Sequence, residues 1–379
     1  MSNGIGNIKM VDLFSQHSKL ETEIMDAIRS VIERSDFIRG KDVSDFEHNL
    51  ANSLNINHVI GCANGTDALQ IALMALELQP GDEVIVPAFT YVATAEVIAL
   101  LGLIPVMVDV EEDTFNISLH AIRRAVTSRT RAIIPVHLFG QCCDMEPLMK
   151  LAEEQHLAVI EDNAQSLGSG YILNDGTVKK SGTIGHIGCT SFFPTKNLGC
   201  MGDGGALMTN DQALTDKIRM IANHGQQKKY FHKVVGCNSR LDTLQAAILN
   251  VKLPHLEKFI AARTEAANFY HKRLENFSYG ELPVSLVQAP PSYNQFTLKI
   301  KFGLRDKIRS YLSENGIPTM IYYPLPLYKQ EAFSRFVSAG FSLPATEKLC
   351  SSVLSLPIHT EMKEEELEYI TDTILQFKE

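Results

Sequence analysis

HVIGCANGTDALQIALMALELQPGDEVIVPA, residues 58 to 88, reads as a strand, a helix and a second strand. Its ends, HVIGCA and EVIVPA, are short runs rich in β-branched residues, and DALQIALMALEL between them is a longer segment with a helical pattern. The alternation continues outward through ATAEVIALLG, IPVMVDV, LHAIRRAV, RAIIPVHLFG, MEPLMKLAEEQ and LAVIEDNA, which closes at Ala164. Strand, helix and strand at this pace predict an α/β fold with a parallel sheet wrapped by helices. The strand runs are nearly continuous in apolar character, as strands covered on both faces are. Such sheets place ligands outside the carboxyl ends of their strands. The loops after VIGCA, VIVPA, VIED and TSFF are therefore where chemistry is to be sought.

Before this block, residues 17 to 54 read as helices joined by Ser35–Gly40. After it come a strand (ALMTN), a helix from about Asp211, and a long helical stretch from Leu241 to about Phe277. A proline-rich junction, QAPPSYNQ, then leads to FTLKIKF, a helix over Leu304 to Asn315, an extended YYPLPLY and a final helix from Glu361. The expected organisation is a large domain with the N-terminal helices over 1–254, then a long connecting helix and a small α/β domain over 255–379. No internal repeat or low-complexity tract is visible.

The chain has 379 residues, 45% hydrophobic and 21% charged, which excludes a disordered or fibrous protein. Its 35 Lys and Arg against 44 Asp and Glu leave a net charge of −9, which opposes adsorption to nucleic acid or an anionic membrane. An anionic ligand then needs a local basic pocket. Seven cysteines without one Cys-x-x-Cys argue against a disulfide framework or a zinc module, and no metal site is expected. The start, MSNGIGNIKMVDLF, lacks both a basic region and an apolar stretch, and no apolar run approaches the ~18 residues of a membrane span. A cytoplasmic location is expected.

SFFPTKNLG (191–199) runs straight into CMGDGGA (200–206). A lysine just past a buried strand, preceded by Pro194 and followed by Gly199, Gly202, Gly204 and Gly205, lies in a tight loop that exposes backbone. Lys196 reads either as a solvated loop charge, as most lysines are, or as a Schiff-base nucleophile, which needs a partly desolvated amine with a depressed pKa. Alone, the residue favours the first reading. In VIEDNAQ (159–165), Asp162 ends a buried strand, where an acid is costly unless it meets a cation; the ring nitrogen of a pyridoxal cofactor is one such partner. Glu161 should point to the opposite face. The plainer alternative is a carboxylate that caps a helix or pairs with an arginine. In ANGTDAL (63–69), Gly65 and Thr66 lie where helix-start N–H groups point outward and can bind phosphate, although Thr66 or Asp67 could equally be an N-cap. No P-loop or G-x-G-x-x-G pattern follows any strand, which argues against a P-loop NTPase or a dinucleotide-binding dehydrogenase. Together the three signals supply a phosphate site, a ring-nitrogen partner and a lysine in an order compatible with one crevice. Tyr91, in PAFTYVAT, adds an aromatic face to stack on the ring, or is ordinary core.

These residues resemble the DegT/DnrJ/EryC1/StrS sugar aminotransferases, pyridoxal-phosphate enzymes of the aspartate aminotransferase fold. The likeness runs through ANGTDAL, VPAFTYVAT, PVHLFGQ, IEDNAQS, SFFPTKNLGCMGDGGA, HGQQKKYFHKVVGCNSRLDTLQAAIL (224–249) and YYPLPLY (322–328). The resemblance implies a mostly parallel central sheet with a smaller C-terminal α/β domain. It implies that Lys196 holds pyridoxal 5'-phosphate and later shuttles a proton, that Asp162 pairs with the ring nitrogen, and that Gln165 lies near the ring and its phenolic oxygen. Gly65, Thr66 and Ser191 are then expected at the phosphate and Tyr91 on the ring. Asn238 is expected to reach the phosphate of the neighbouring subunit in a homodimer with shared sites; a turn and a helix-start charge pair is the plainer reading of Asn238 and Arg240. Lys233, Arg240, Tyr322 and Tyr323 are the expected substrate contacts. Many relatives carry His-Tyr-Pro and Leu-His near the C-terminus, whereas Tyr322 and Tyr328 stand at those two histidine positions here, so the sugar contacts of this region depart from the pattern.

The implied reaction moves an amino group from L-glutamate to the C3 ketone of a nucleotide-linked ketosugar in amino-sugar and polysaccharide biosynthesis, including lipopolysaccharide O-antigen. Segments 224–249 and 200–206 resemble most the branch acting on UDP-2-acetamido-3-keto-hexuronate. Three alternatives stay open: a dTDP-3-keto-6-deoxyhexose aminotransferase, a pyridoxal-phosphate sugar dehydratase, and a non-catalytic regulatory relative. Lys196 stands against the dehydratase branch, which has His there. Lys196, Asp162 and Thr66 together stand against the regulatory one.

Overall fold

The computed structural model describes residues 8–379; the first seven residues of MSNGIGNIKMVDLF, on which the reading of the N-terminus partly rests, lie outside the described residues. Three helices come first, α1 (Leu13–Ser18), α2 (Glu21–Arg34) and α3 (Lys41–Leu54). Ser35 and Asn55 close the latter two in the left-handed conformation, with φ of 55° and 53°, a common way to satisfy the last helical carbonyls. The alternating block then gives β1 (His58–Cys62), α4 (Gly65–Ala75), β2 (Glu83–Pro87), α5 (Ala93–Leu100), β3 (Ile104–Val108), α6 (Leu119–Ala125), β4 (Thr130–Ile133), α7 (Met145–Glu154) and β5 (Ala158–Asp162). A hairpin of β6 (Gly170–Ile172) and β7 (Val178–Lys180) precedes β8 (Ile187–Ser191), β9 (Gly205–Thr209) and α8 (Gln212–Ile221).

Seven strands form the central sheet in the order β1-β9-β8-β5-β4-β2-β3. From β3 to β8 every pairing is parallel, but β9 runs antiparallel to both β8 and β1. The sheet is mostly parallel, as expected, with β9 its antiparallel member. The chain returns from β8 through the 192–204 loop without a helix, and a parallel return needs a crossover over the sheet face. Residues of α4, α5 and α8 cover one face, with Leu69, Ile98 and Ile218 buried there. The other face packs against α6 and α7 through Ile122, Leu148 and Leu151.

Beyond α8 lie a small hairpin, β10 (Gln226–Lys228) and β11 (Phe231–His232), then α9 (Thr243–Lys252) and α10 (Leu256–Leu274). The single long helix expected from Leu241 is two helices, broken at the 3-10 turn Leu253–His255; Pro254 lacks the N–H that a helix interior needs. Strands β12 (Gly280–Glu281) and β13 (Phe296–Ile300), helices α11 (Arg305–Glu314) and α12 (Pro344–Ser352), strand β14 (Val353–Leu356) and helix α13 (Glu364–Gln376) complete the chain. They build a second core, in which Tyr270 of α10 packs with Phe296, Leu354 and Ile370. The final helix starts at Glu364 rather than Glu361, because the Glu366 carboxylate accepts the Lys363 N–H (2.9 Å) and fixes the first turn there. YYPLPLY is not a strand: Pro324 and Pro326 deny it ladder donors, and Leu327–Lys329 forms a 3-10 turn whose Leu327 and Tyr328 pack into the main-sheet core.

Candidate active site

The four loops singled out by sequence lie at the carboxyl ends of β1, β2, β5 and β8. At the first, Asn64 is the N-cap of α4, its side chain accepting the Asp67 N–H at 2.8 Å, so neither Thr66 nor Asp67 is the cap. Thr66 is left in the first turn, where backbone N–H groups and the helix dipole favour an anion. Gly65 abuts the last residue of β8: a Cβ built on it would stand 2.8 Å from Cβ of Ser191. On the other side, a Cβ on Gly205 would stand 2.4 Å from the Asn64 carbonyl. Only glycine lets the helix start, β8 and β9 approach this closely, and the approach brings the Ser191 hydroxyl beside the α4 N-terminus. That hydroxyl, the helix-start N–H groups and Thr66 form a donor set that fits a phosphate.

Asp162 ends β5 and is buried. Its carboxylate accepts from the Thr94 hydroxyl at 2.8 Å and from the Ala164 N–H at 3.2 Å. Burial raises its pKa above the ordinary value, while Thr94, Ala164 and the charge of Lys196 act in the opposite direction. Glu161 points to the other face, as the alternation of a strand requires. It accepts from His137 Nε2 (2.7 Å) and from the N–H groups of Gly182 (2.8 Å), Ile184 (2.6 Å) and Gly185 (2.5 Å). Burial pushes its carboxyl up, but these donors outweigh burial and hold it below the usual range. The Cys143 N–H donates to His137 Nδ1 (3.1 Å), which leaves the ring proton on Nε2, facing Glu161. His137, Cys142 and Glu161 thus lie close together in the core, with Glu161 Oε1 held by the Ile184 and Gly185 N–H groups.

Lys196 is half-buried in the turn after β8, its N–H closing on the Phe193 carbonyl at 2.9 Å. Its amine is desolvated, which lowers the pKa from 10.5 to about 8, with Asp162 pulling the other way. The reading of Lys196 as a solvated loop charge does not hold. Among the described residues Asp162 is the N-cap of no helix and pairs with no arginine; its bonds are to Thr94 and the Ala164 N–H.

Tyr91, after β2, is 58% exposed, so it is not core. Its ring centroid lies 6.3 Å from that of Tyr323, whose hydroxyl accepts from Gln165 Nε2 at 3.0 Å. Gln165 Oε1 accepts the Phe139 N–H at 2.7 Å, so the amide is oriented from both ends. Tyr322 is half-buried, with its ring 6.1 Å from that of Tyr323. Tyr328 is different. It is buried in the main core, bonded to Glu347 and accepting the Leu343 N–H (3.2 Å), so this departure from the family pattern is structural.

Asn238 is exposed and bridges Asn223 through the backbone, while Ser239 accepts the Ala63 N–H at 3.1 Å and sets the segment beside the β1–α4 loop. Lys233 lines an open basic cleft of about 670 Å³ with Arg39, Lys228 and Lys229. Arg240 lines a narrow cleft beside Glu47, but that carboxylate is held by Arg219 at 2.7 Å, so the charge pair read for Arg240 is not with its acidic neighbour. Lysine, acid, Gly65, Thr66, Ser191, Gln165, Tyr91 and Tyr323 gather at the strand ends; Ser239 holds Asn238 and Arg240 beside the β1–α4 loop, and Lys233 lines the basic cleft. Sequence reading missed Thr94 as the partner of Asp162 and Tyr323 as the partner of Gln165. Among the described residues no helix is long and apolar enough to cross a membrane.

The sequence profile of the DegT/DnrJ/EryC1/StrS aminotransferase family matches residues 18–375. A protein of Geobacillus stearothermophilus called pleiotropic regulatory protein is 44% identical over 372 residues, 98% of each chain. UDP-2-acetamido-2-deoxy-3-oxo-D-glucuronate aminotransferase of Pseudomonas aeruginosa is 44% identical over 352 residues, covering 93% of this chain and 95% of its own. A crystal structure of a DegT DnrJ EryC1 StrS aminotransferase from Brucella abortus superposes with a TM-score of 0.92 at 39% identity, over 97% of this chain and 98% of that one.

Proposed function

Because the chain belongs to the DegT/DnrJ/EryC1/StrS aminotransferase family, we propose that it moves an amino group from L-glutamate to the C3 ketone of UDP-2-acetamido-3-keto-hexuronate. It is a pyridoxal-phosphate-dependent sugar aminotransferase with the aspartate aminotransferase fold. The observation that carries the reading is the gathering, at the ends of β1, β5 and β8, of the half-buried Lys196 turn, the buried Asp162 held by Thr94, and the Gly65–Ser191 approach at the start of α4. The Pseudomonas relative's named substrate supports the choice of sugar.

When bound, pyridoxal phosphate supplies an electron sink conjugated to the substrate nitrogen. In this reading the α4 N–H groups, Thr66 and Ser191 hold its phosphate, with Gly65 allowing the approach. Asp162 keeps the ring nitrogen protonated, and Thr94 fixes the carboxylate in place. Tyr91 covers the ring face and Gln165, held by Phe139 and Tyr323, meets the phenolic oxygen. Lys196 Nζ would hold the cofactor's carbonyl carbon and, as a partly neutral amine, would move a proton at the substrate carbon. Tyr322 and Tyr323 face the sugar from their own chain. The exposure of Asn238 and Lys233 supports a homodimer in which they and Arg240 serve the partner's site. Seven free cysteines support a reducing, cytoplasmic setting.

The name of the Geobacillus relative favours a regulatory reading. A desolvated lysine against a buried acid favours catalysis, since regulation alone has no use for that pair. Incubation with pyridoxal phosphate, glutamate and a panel of nucleotide ketosugars, read by mass spectrometry, separates the two. The expected product is the 3-amino hexuronate with one 2-oxoglutarate released per amine. No amine from any sugar in the panel would refute the proposal.

A further inference from the structure

Lys252, the last residue of α9, is only 1% exposed. No carboxylate stands among the groups acting on it, and burial lowers its amine to about 8. Two partners meet the amine. It donates to the carbonyl of Gly199, and His17 Nε2 of α1 lies 3.3 Å away. Burial and the charge of Lys252 both lower the pKa of His17, which keeps its ring available as an acceptor.

Gly199 closes the turn that carries Lys196. A Cβ on it would lie 2.3 Å from the Pro194 carbonyl, and the Cys200 N–H returns to the Phe192 carbonyl at 2.8 Å, so the loop doubles back on itself without slack. Other elements grip the same turn: Asn197 donates to the Leu167 carbonyl (3.1 Å) and to Ser292 (2.8 Å), and Asn294 donates to the Thr195 carbonyl (3.4 Å). Lys196 stands between these grips, near enough to Asp162 for their charges to influence one another.

We propose that Lys252 is a positioning residue for Lys196: its ammonium, backed by His17, holds the Gly199 carbonyl and thereby fixes the turn from which the reactive amine projects. The inference rests on the role given to Lys196 above. A long, charged donor suits the task, because it spans from α9 to the loop and bonds a buried carbonyl more strongly than a neutral group does. Without it the Gly199 carbonyl is buried and unpaired, and the turn must shift to find another donor.

A purely structural role and a positioning role differ in outcome. Lys252→Met relieves the desolvation of the amine but leaves the Gly199 carbonyl unpaired, two opposing effects, so the variant is expected to fold and to melt near the wild-type temperature. In that folded variant the apoprotein should link pyridoxal phosphate to Lys196, read by borohydride trapping and peptide mass spectrometry, about tenfold more slowly. kcat should fall by about the same factor, with KM for both substrates within about twofold, and Lys252→Arg should recover part of the trapping rate. His17→Leu, which loosens the ammonium from behind, should slow trapping in the same direction by about threefold, and it decides the question if Lys252→Met does not fold. Wild-type trapping rates in the folded variants would overturn the proposal. Failure to trap the cofactor on Lys196 in the unaltered chain would instead refute the functional reading beneath it.

Discussion

Exchanging Asp162 for asparagine in the cofactor-free chain should move the Lys196 amine in a direction that casual inspection would not suggest. The amine lies at about 8 against an ordinary 10.5, a preference for the neutral form worth about 3 kcal/mol at ~1.36 kcal/mol per pKa unit. At about pH 7.5 roughly a quarter of the molecules then carry a neutral, nucleophilic amine, against about 0.1% for an ordinary lysine. Desolvation is the larger influence, and the charge of Asp162 opposes it. Asp162→Asn leaves desolvation unopposed, so the titration midpoint should drop below that of the wild type. The gain in neutral amine at about pH 7.5 is bounded at about fourfold, because the starting fraction is already a quarter. Trace labelling of the apoprotein with a limiting amine reagent across about pH 6 to 11, with the Lys196 peptide quantified by mass spectrometry, reads both midpoints. In the loaded enzyme the same substitution should act oppositely, lowering transamination by about 100-fold or more, since asparagine cannot keep the ring nitrogen protonated. A wild-type midpoint near that of a free lysine would refute the desolvation argument. An upward shift in Asp162→Asn would refute the pairing of the two groups.

Gly65→Ala should leave the fold intact but weaken pyridoxal-phosphate affinity about tenfold or more, because its methyl would stand 2.8 Å from Ser191 Cβ and force α4 away from β8; an unchanged dissociation constant by equilibrium dialysis would count against the phosphate assignment. Mixing a Lys196→Ala chain with an Asn238→Ala chain should restore activity in hybrid dimers, in which one site escapes both lesions; no recovery after verified subunit exchange would sink the shared site. Arg240→Ala should reduce kcat/KM for a uronate substrate about 10-fold to 100-fold more than for its uncharged 6-deoxy counterpart, the value of a lost charge-assisted contact. Equal losses, or a wild-type preference for the 6-deoxy sugar, would move the assignment to dTDP-linked substrates.

How much of this was legible beforehand depended on whether a residue announces itself through its own neighbours. The strands and helices of residues 58 to 164 follow from local periodicity, which burial on both faces of a sheet imposes. The direction of β9 does not, because a strand buried on both faces has the same apolar run whichever way it points. Pro254 was visible, yet the helix pattern on either side is strong enough to hide a break of one turn. Asp162 and Lys196 could be read from their places at strand ends. Thr94, which fixes Asp162, lies 68 residues away from it in sequence, and Tyr323 lies 158 from Gln165. Neither contact has a period or a motif, so only the folded chain brings it into view. Lys252 is harder still, since at the end of an amphipathic helix a lysine has the ordinary look of a solvated charge favoured by the helix dipole.

What remains is why the acid and the lysine must lie in the same dry crevice. Burial moves them in opposite directions, raising Asp162 and lowering Lys196, so each is driven toward its neutral form. Each also restores part of the other's charge. An amine at about 8 is therefore neither locked as an ammonium nor permanently bare, which suits the role proposed for Lys196, first as a nucleophile and later as a proton carrier. Greater separation would leave a buried carboxylate without a cation; full solvation would return the lysine to an inert ammonium. A turn held by Lys252, Asn197 and Asn294 keeps the separation between those limits, and for that reason the grip on the Gly199 carbonyl belongs to the chemistry as well as to the fold.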